Sequence, residues 1–568
     1  MRIVFRTFVA ISIATVFIQT SVFALISDDK VEESSKRLVE IIEKGCKDRN
    51  ILGCVVAIVR HNKIVLLKPF GYTTIDKTVP ITVDTVFPIS SVSKNITAFL
   101  IGALVDDGVI KLDDKIRKYD KTFFIHSEEF SKNLEIKDLI CHGSGFPNFA
   151  ADSLWSCGYS KKQIVEAFKY IKQMPGAFRR YYAYQNVFFG LVGDVLEKAT
   201  GEKYEDLVKK YLFSKMDIKS ASAIRLRYET SRWEHMKYMM SRFSYDVSRH
   251  GFFATIGTFI REIFTFKPIK SVSNYSYLND GLVEVPDIGF FQIYPATSGI
   301  AISGNEFAKW LQMILSKGQY NGKTIVKPDT FQKIVSPVVD MKNTKPTDET
   351  FPIERFPRES LHYGLGTFIA KYADNGKNAR NIIFHMGGVR GASAFFVICP
   401  EEDIGIGVIN NVGGTTNTLF AEYMCNNFLD LCFDFSKKDW VLAEANRLRR
   451  VSKYKFINLE MCSENPTPSA SLDRYEGVFT SDIYGDVKFY KENGRLIMDT
   501  GIKKTELTHV NKDIFSFPMR AIRLCWYDAN EYVSFEKDEK SNFCSCRITC
   551  FKEGDTIFKR KEKMKNAK

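Results

Sequence analysis

Two pairs of apolar runs constrain the fold of this chain more than any other feature. The first pair, GCVVAIVRHNKIVLLKPFGY at residues 53–72, consists of two β-rich runs around the turn RHNK. The second pair, GASAFFVICPEEDIGIGVINN at residues 391–411, has the same form around residues 400–403. Runs of this composition around short turns predict β-hairpins. We therefore expect a sheet that is built from both ends of one domain.

Between these hairpins the apolar residues recur at helical spacing. One stripe begins after Lys94 and stops before Gly108, and another stops before Gly201. The stripes consist of Ile96, Phe99, Leu100, Ala103 and Leu104 in the first and Phe188, Leu191, Val192, Val195, Leu196 and Ala199 in the second. The order predicts a helical insertion between the two halves of the sheet. A cleft between sheet and helices is the expected place for a functional site.

The sequence changes character after residue 435. Residues 436–471 are predicted to be a linker, because the stretch SENPTPSAS is rich in turn formers. Residues 472–560 alternate in short runs separated by Gly and Asn-Gly turns, which predicts a small antiparallel, barrel-like β domain. The basic tail at 561–568 is predicted to be solvated, with attraction to anionic membrane surfaces as the alternative.

The first 24 residues have the pattern of a secretory signal peptide. Arg2 and Arg6 precede a short apolar run, and Val22 and Ala24 occupy the small-residue positions of a cleavage site. A retained anchor helix is the alternative, but the run is short for a membrane span. We therefore expect an exported, periplasmic or secreted protein whose large domain comprises residues 25–435.

Charge and cysteine usage argue against several classes of partner. The formal net charge is +13, but Lys and Arg are interspersed with acids, which predicts a basic surface and no nucleic-acid binding. The twelve cysteines include no Cys-x-x-Cys pair and no His-Glu-x-x-His motif occurs, so neither a metal nor a cofactor is predicted. Cys544, Cys546 and Cys550 are expected on one face of a strand, as buried thiols or with a disulfide to a neighbour such as Cys525.

An aromatic and basic segment occupies residues 232–268. We expect it to pack as part of an enlarged helical subdomain. A lid or a face that makes peripheral membrane contact is the alternative. The sequence does not fix the oligomeric state.

Ser91 and Lys94 stand three residues apart at the start of the first helical stripe. One helical turn separates them, so Lys94 is expected beside Ser91 on the same face. A serine hydroxyl is a weak nucleophile until a base removes its proton. The helix dipole and desolvation can lower the pKa of a lysine enough for that role. The pair alone is a weak signal, because serine is also a common helix cap.

Three further stretches accompany this pair in order. LEIKDLICHGSGFP contains a His-x-Ser-Gly loop, YAYQNVFFGLVGDVLEKATG contains Tyr184-Gln-Asn186, and FHMGGVRGASAFF contains His385-Met-Gly387. From about residue 39 to residue 411 the chain resembles the serine β-lactamase and penicillin-binding protein superfamily. The likeness is to the branch of class C β-lactamases, D-Ala-D-Ala carboxypeptidases, D-aminopeptidases and esterases. It implies an α/β (α+β) domain of β-lactamase/transpeptidase-like fold, with an antiparallel sheet flanked by helices and a helical subdomain. The C-terminal domain loosely resembles the lipocalin-like domain of some peptidase-like members.

The resemblance implies a role for each matched residue. Ser91 would form an acyl-enzyme after Lys94 takes its proton. Tyr184 would share that proton and deliver it to the leaving group, with its pKa lowered by the adjacent cation. Asn186 would hold Lys94 and the substrate amide, and it is also a candidate cap for the following helix. The backbone N–H groups of Ser91 and Gly388 would form the oxyanion hole.

The third box departs from the β-lactamases. Those enzymes typically carry Lys-Thr-Gly, and no Lys-Thr-Gly occurs in this chain. His385 stands at the lysine position and is expected to be mostly neutral at pH 7. This weakens the case for efficient β-lactam hydrolysis and resembles the peptidase and esterase members. A neutral imidazole can still hydrogen-bond an amide or ester substrate, and Gly387 and Gly388 are expected beside that substrate.

The resemblance thus implies an exported serine hydrolase that acts on short peptide, D-amino-acid amide or ester substrates. A penicillin-binding D-Ala-D-Ala carboxypeptidase or weak β-lactamase, with a cell-wall peptide as substrate, is the alternative within the same chemistry. A non-catalytic peptidoglycan-binding or scaffold protein is the alternative from another class. The intact set of Ser91, Lys94, Tyr184 and Asn186 favours the enzyme.

Overall fold

The structure is a computed structural model. It describes residues 25–48, 52–222, 240, 256, 275–278, 281–284, 294–341, 355–389, 391–412, 420–436, 468–518, 530–551 and 557–561. The signal peptide predicted at 1–24, Cys525, and most of the linker, the aromatic segment and the basic tail lie outside these residues. Within the described ranges, no helix has the length and apolar character needed to cross a membrane.

An eight-stranded antiparallel sheet forms the centre of the large domain. Its strands follow one another in space as β2 (Lys63–Gly71), β1 (Gly53–Arg60), β14 (Ile404–Asn410), β13 (Ala392–Cys399), β12 (Lys377–Val389), β11 (Phe368–Asp374), β10 (His362–Tyr363) and β9 (Val339–Asp340). The two predicted hairpins lie side by side, because β1 pairs with β14 and sets Cys54 opposite Asn410. The prediction of a sheet built from both ends of the domain is confirmed.

Helices and short ladders surround this sheet. In chain order the helices are α1 (Asp28–Asp48), α2 (Ser93–Asp106), α3 (Glu128–Asn133), α4 (Ile136–Ile140), α5 (Asp152–Ser156), α6 (Lys161–Ala167), α7 (Asn186–Thr200), α8 (Tyr204–Val208), α9 (Pro295–Ser298), α10 (Gly304–Leu315), α11 (Pro328–Ile334) and α12 (Phe420–Cys432). The described residues also contain three two-stranded ladders, which are β3 (Val86–Pro88) with β6 (Ala301–Ser303), β4 (Tyr275–Leu278) with β5 (Gly281–Glu284), and β7 (Gln319–Tyr320) with β8 (Lys323–Thr324).

The main core lies on both faces of the sheet. Every residue of β1, β13 and β14 is buried. Because successive side chains of a strand point to opposite faces, helices must cover both of them. α10 packs against β1 and β14, whereas α12 packs against β13, β14 and α1. On β13, Phe396 meets Phe307 of α10, with ring centroids 6.5 Å apart.

The two helices predicted from apolar stripes are α2 and α7. α2 is buried along most of its length and packs against α9 and α11. α7 ends where Gly201 adopts a left-handed conformation (φ +70°), from which its N–H bonds the Glu197 carbonyl at 2.8 Å. Glycine suits this position because it has no Cβ to clash. Both predicted helix ends therefore lie within two residues of the glycines that marked them.

The C-terminal domain is a closed eight-stranded antiparallel barrel. Its strands are β15 (Gly477–Ser481), β16 (Gly485–Glu492), β17 (Arg495–Asp499), β18 (Lys504–Asn511), β19 (Ile514–Pro518), β20 (Asn530–Lys537), β21 (Phe543–Ile548) and β22 (Ile557–Arg560). Pairing of β15 with β22 closes the cylinder. Aromatic rings fill its interior, for example Tyr475 stacked on Phe543 with centroids 4.4 Å apart. The predicted barrel-like β domain is confirmed.

The expectation for the barrel cysteines was wrong in one respect. Cys544 is exposed whereas Cys546 is buried, so the two do not share a face. A bulge in the pairing with β20 shifts the register beside Cys544 and turns its side chain outward. Cys550 lies beyond the end of β21 and is buried. Cys544 and Cys546 carry free thiols.

The barrel contacts the helical subdomain at the residues that follow α5. The buried Tyr159 hydroxyl donates to the backbone carbonyl of Tyr484 at 2.6 Å. Ile502 of the barrel lies against Gly158, where an added Cβ would come within 3.0 Å of its side chain. The barrel therefore touches the segment that continues the chain from α5.

Candidate active site

Ser91 lies in a 3-10 turn, Ser90–Val92, immediately before α2. Two backbone contacts with Ile300 fix this turn: the Ile89 N–H donates to the Ile300 carbonyl at 3.0 Å, and the Ile300 N–H donates to Ser93 Oγ at 3.0 Å. Ser90 is held in a left-handed conformation (φ +52°), which is strained for a residue with a Cβ. The turn leaves Ser91 half-exposed although its neighbours are buried.

Lys94 lies one turn further on, in the first turn of α2, and its side chain is completely buried. Its Nζ atom lies 3.1 Å from Ser91 Oγ, 2.8 Å from Asn186 Oδ1 and 3.3 Å from the Thr297 carbonyl oxygen. Burial lowers the pKa of Lys94 well below its usual range, and the Asp152 carboxylate partly opposes this shift. A lysine in this environment can lose its proton at moderate pH.

These contacts determine which proton a neutral Lys94 accepts. A neutral amine has two N–H donors and one lone pair. The oxygens of Asn186 and Thr297 that face it have no hydrogen to give, so they can only accept. Ser91 is the contact that carries a hydroxyl proton. When Lys94 is neutral, its lone pair therefore turns to the Ser91 hydroxyl, as a general base requires.

Tyr184 and Asn186 are positioned by the loop at 141–149, which contains the His-x-Ser-Gly stretch. The carbonyl oxygen of His142 accepts the Ala183 N–H at 2.8 Å, and its Nδ1 atom accepts the Gln185 N–H at 3.1 Å. The ring of His142 packs on Tyr184, with centroids 4.3 Å apart. Near the other end of the loop, Asn148 Oδ1 accepts the Tyr184 N–H at 2.6 Å. The loop thereby holds the whole Tyr-Gln-Asn box.

The pKa predicted for Tyr184 was wrong in direction. Burial raises the pKa of this phenol above its usual value, although a hydrogen bond with Ser91 acts in the opposite sense. Lys94 Nζ lies 4.7 Å from the centroid of the Tyr184 ring. The predicted lowering of the Tyr184 pKa required a Lys94 that stays charged. Burial instead disfavours the charged forms of both Lys94 and Tyr184. Tyr184 is therefore a neutral hydroxyl, and its role in proton transfer stays a prediction.

Asn186 does not cap the helix that follows it. It is the first residue of α7, whose N-terminal cap is Gln185 with no side-chain hydrogen bond. The Asn186 side chain instead bridges an amine and a carboxylate: Oδ1 accepts from Lys94, and Nδ2 donates to Asp152 Oδ2 at 2.6 Å. The predicted contact with Lys94 is present, and the contact with the substrate amide stays a prediction.

The third box lies on β12, which continues past the end of its pairing with β11 and packs against the turn of Ser91. An added Cβ on Gly387 would clash with the Ile89 carbonyl oxygen and lie 3.0 Å from Ser91 N. Only a residue without a side chain allows this approach. Gly388 follows and is exposed. The strand thus reaches the nucleophile, and the oxyanion role of Gly388 stays a prediction.

His385 is completely buried and both of its ring nitrogens are engaged. Nδ1 lies 2.7 Å from the Met386 carbonyl oxygen, so Nδ1 carries the proton. Nε2 then accepts a hydrogen bond from the Tyr363 hydroxyl at 3.1 Å. Burial, reinforced by the nearby Lys94, lowers the pKa of His385 to about 3. The ring is therefore neutral, and its predicted hydrogen bond to substrate stays a prediction.

The Beta-lactamase family model matches residues 38–422, which is the larger part of the chain. The chain belongs to the beta-lactamase family. Its nucleophile turn, Tyr-x-Asn box and third box all fall within the matched residues. The C-terminal barrel lies outside them.

Two curated relatives match only about a third of this beta-lactamase family chain. Beta-lactamase-like protein 2 from Dictyostelium discoideum is 28% identical over 205 residues, which cover 34% of this chain and 37% of that protein. Protein flp from Staphylococcus aureus (strain MW2) is 23% identical over 202 residues, which cover 35% of this chain and 40% of that protein. The chain thus spans less than half of the length of these curated relatives.

Two solved structures align with almost the entire length of this chain. The octameric penicillin-binding protein homologue from Pyrococcus abyssi has a TM-score of 0.54 and 18% identity, and the match covers 92% of this chain and 99% of that one. SurE has a TM-score of 0.50 and 15% identity, with 94% and 100% covered. At these identities the likeness concerns the fold alone.

Sequence patterns missed three residues of this beta-lactamase family site. Asp152 binds Asn186, the Thr297 carbonyl binds Lys94, and Tyr363 binds His385. Asp152 starts a five-residue helix, and Thr297 contributes only a backbone atom, so neither has a local motif. The stretch HYGLGTF around Tyr363 offered no chemical signal on its own. Each contact arises from tertiary packing between distant segments.

Proposed function

We propose that this protein is a serine hydrolase that works through an acyl-enzyme on Ser91. The observation that supports it most is the 3.1 Å contact between Ser91 Oγ and the buried Nζ of Lys94. Burial disfavours the charged form of Lys94, so a lone pair is available beside the hydroxyl. Family membership adds to this argument, because the chain keeps the serine, lysine, tyrosine and asparagine of the family boxes.

The proposed reaction has two halves. Lys94 takes the Ser91 proton while Oγ forms a bond with the substrate carbonyl carbon, and the N–H groups of Ser91 and Gly388 bind the oxyanion. The bond to the leaving group then breaks, and Tyr184 relays the proton to that group. In the second half Lys94 takes a proton from water, whose oxygen attacks the acyl carbon. The acid is released, and the proton returns to Ser91 Oγ.

We propose esters and amides of short peptides or D-amino acids as the substrate class. His385 is neutral and its two nitrogens bind Met386 and Tyr363, so it supplies no positive charge to a substrate carboxylate. A β-lactam carries such a carboxylate beside its scissile amide. Substrates without a carboxylate at that position need no positive charge there, so a neutral His385 does not weaken their binding. Ester or amide hydrolysis is therefore expected to exceed β-lactam hydrolysis.

The test is turnover of p-nitrophenyl esters, D-aminoacyl p-nitroanilides and a penicillin by the full chain. Ester and anilide hydrolysis should be abolished in Ser91→Ala, since a half-exposed serine contributes little to packing and the fold should persist. Ser35→Ala is the matched control, because Ser35 is a buried serine of α1 that bonds the Val31 carbonyl. Turnover that survives in Ser91→Ala would contradict the proposal, as would penicillin hydrolysis faster than that of every ester.

A further inference from the structure

A carboxylate lies behind the proposed general base, and the family boxes do not include it. Asp152 Oδ2 accepts from Asn186 Nδ2 at 2.6 Å, and Asn186 Oδ1 accepts from Lys94 Nζ at 2.8 Å. Lys94 Nζ in turn contacts Ser91 Oγ at 3.1 Å. The three contacts form one continuous line from an anion, through an amide, to the base and the nucleophile.

The Asp152 carboxylate selects one orientation of the Asn186 amide. An ionised carboxylate can only accept, and Lys94 donates to the oxygen of Asn186 in both of its protonation states, because the lone pair of the neutral amine faces Ser91. Asn186 therefore turns its NH₂ group to Asp152 and its oxygen to Lys94. The reverse orientation would place two acceptors together at one end and two donors at the other. With no carboxylate at residue 152, the amide would lose the partner that fixes it.

The backbone holds Asp152 in this place. It is the first residue of α5, and the preceding Ala151 adopts a left-handed conformation (φ +66°). The Asp152 N–H donates to the Phe149 carbonyl at 3.0 Å. Phe149 belongs to the same loop that bonds Tyr184, through its N–H and the Tyr184 carbonyl at 2.7 Å. One loop thus fixes both Asp152 and the Tyr-x-Asn box.

We infer that Asp152 is a positioning residue that acts through Asn186: it fixes the orientation of the amide and, by its negative charge, favours the protonated form of Lys94. This rests on the proposed function, in which Lys94 is the base for Ser91. Asp152 binds Asn186, which in turn binds Lys94, so the influence of Asp152 on the reaction is indirect. The consequence is a shift in the pH at which the base becomes active.

The other groups that face Lys94 do not replace this charge. Ser91, Asn186 and the Thr297 carbonyl are neutral, and Tyr184 stays a phenol because burial raises its pKa. Two neighbouring histidines, His142 and His385, have pKa values lowered by burial, and the charge of Lys94 lowers them further. For Lys94 itself, burial lowers the pKa, and the opposing influence comes from Asp152.

The experiment compares Asp152→Asn, Asp152→Ala and Asp152→Glu with wild type. The rate of labelling of Ser91 by a fluorophosphonate is measured against pH, and it rises as Lys94 loses its proton. Removal of the carboxylate should move this rise to lower pH by about one unit in both Asn and Ala variants. The Glu variant keeps the charge and should leave the midpoint in place. The Ala variant should also lose about tenfold in plateau rate, because the amide loses its acceptor.

Asp114→Asn is the matched control. The Asp114 carboxylate is 12% exposed, and its partners are the Lys111 N–H, Lys118 and Tyr119. This variant should keep the wild-type midpoint. A midpoint that stays unshifted in Asp152→Asn and Asp152→Ala would overturn the inference. An equal shift in Asp152→Glu would overturn it as well, because that variant retains the negative charge.

A second readout separates this inference from the proposed function. The titration of Lys94 is followed by the ¹³Cε shift of labelled lysine in the full chain, and its signal is assigned by its loss in Lys94→Met. Asp152→Asn should lower that titration midpoint whether or not Ser91 reacts. A protein that fails to label while its lysine midpoint shifts would contradict the proposed function alone. A labelled protein with an unshifted lysine midpoint would contradict the inference alone.

Discussion

At the scale of single residues, burial decides what each polar group of the site can do. Lys94 is completely buried, which lowers its pKa despite the nearby carboxylate of Asp152. The same burial keeps Tyr184 protonated and His385 neutral. In the proposed reaction Lys94 is the base, Tyr184 the neutral hydroxyl that relays the proton and His385 a neutral imidazole, and desolvation accounts for each of these proposed states.

The first residue-scale prediction concerns Tyr184→Phe. Because Tyr184 is a protonated phenol, its proposed task is to carry the proton to the leaving group. Amide hydrolysis should fall by about 10²–10⁴-fold, since an amine leaves only when protonated. Hydrolysis of p-nitrophenyl esters should fall much less, because p-nitrophenolate leaves as an anion. The measurement is kcat/KM for matched anilide and ester substrates. Equal losses on both substrates would contradict the relay.

The second residue-scale prediction concerns pH. Labelling of Ser91 requires a neutral Lys94, so its rate should rise with pH through the lowered pKa of that lysine. His385, with a pKa of about 3, stays neutral between about pH 5 and pH 9 and adds no step there. We therefore expect His385→Gln to change the rate but to leave the midpoint of the rise unchanged. A moved midpoint in this variant would assign the titration to the histidine.

At the scale of elements, the site lies where a turn, a loop and a strand meet. The turn of Ser91 precedes α2, the loop at 141–149 binds the Tyr-x-Asn box, and the part of β12 beyond its pairing with β11 packs against that turn. The closest approach is at Gly387, which lies against the backbone of the nucleophile turn. Spacing between these elements is therefore as important as the identity of the polar residues.

Gly387→Ala tests that spacing. The added methyl group would clash with the Ile89 carbonyl and press on Ser91 N, so β12 must move away. A displacement of the reacting groups by an ångström can cost about 10²-fold in rate, and we expect a loss of this size in Ser91 labelling. Gly193→Ala in α7 is the control, because its Cβ would make ordinary contact, 3.4 Å from Ala296. Wild-type labelling in Gly387→Ala would contradict the tight approach.

The sequence predicted those elements whose signal is local. The hairpins, α2 and the stop of α7 at Gly201 follow from periodicity and glycine, which act within a few residues. The contacts of Asp152 and Tyr363 with the site could not be found in this way, because they join segments far apart in the chain. The pKa of Tyr184 was also beyond sequence reasoning, since its direction depends on burial and not on the neighbour alone.

At the scale of the whole molecule, the barrel and the large domain meet next to the site. Tyr159 and Gly158 follow α5, and they contact Tyr484 and Ile502 of the barrel. The other end of the same helix begins with Asp152. The barrel therefore supports the helix that carries the carboxylate behind Lys94.

Tyr159→Phe tests this support. It removes the hydrogen bond to the Tyr484 carbonyl and should lower the free energy of unfolding by about 1 kcal/mol. Amide hydrogen exchange should increase in residues 152–159, as measured by mass spectrometry. Tyr475→Phe is the control, because it removes a hydrogen bond to Asp513 within the barrel and should leave exchange in α5 unchanged. Unchanged exchange at α5 in Tyr159→Phe would contradict the supporting contact.

The central claim is that Lys94 activates Ser91 for covalent catalysis. The most direct measurement is the intact mass and peptide map of the full chain after reaction with a fluorophosphonate, for wild type, Ser91→Ala and Lys94→Met. We predict one added label on Ser91 in wild type, no label in Ser91→Ala, and labelling slowed by about 10²–10⁴-fold in Lys94→Met. A folded wild-type protein that takes up no label, or carries it on another residue, would contradict the claim.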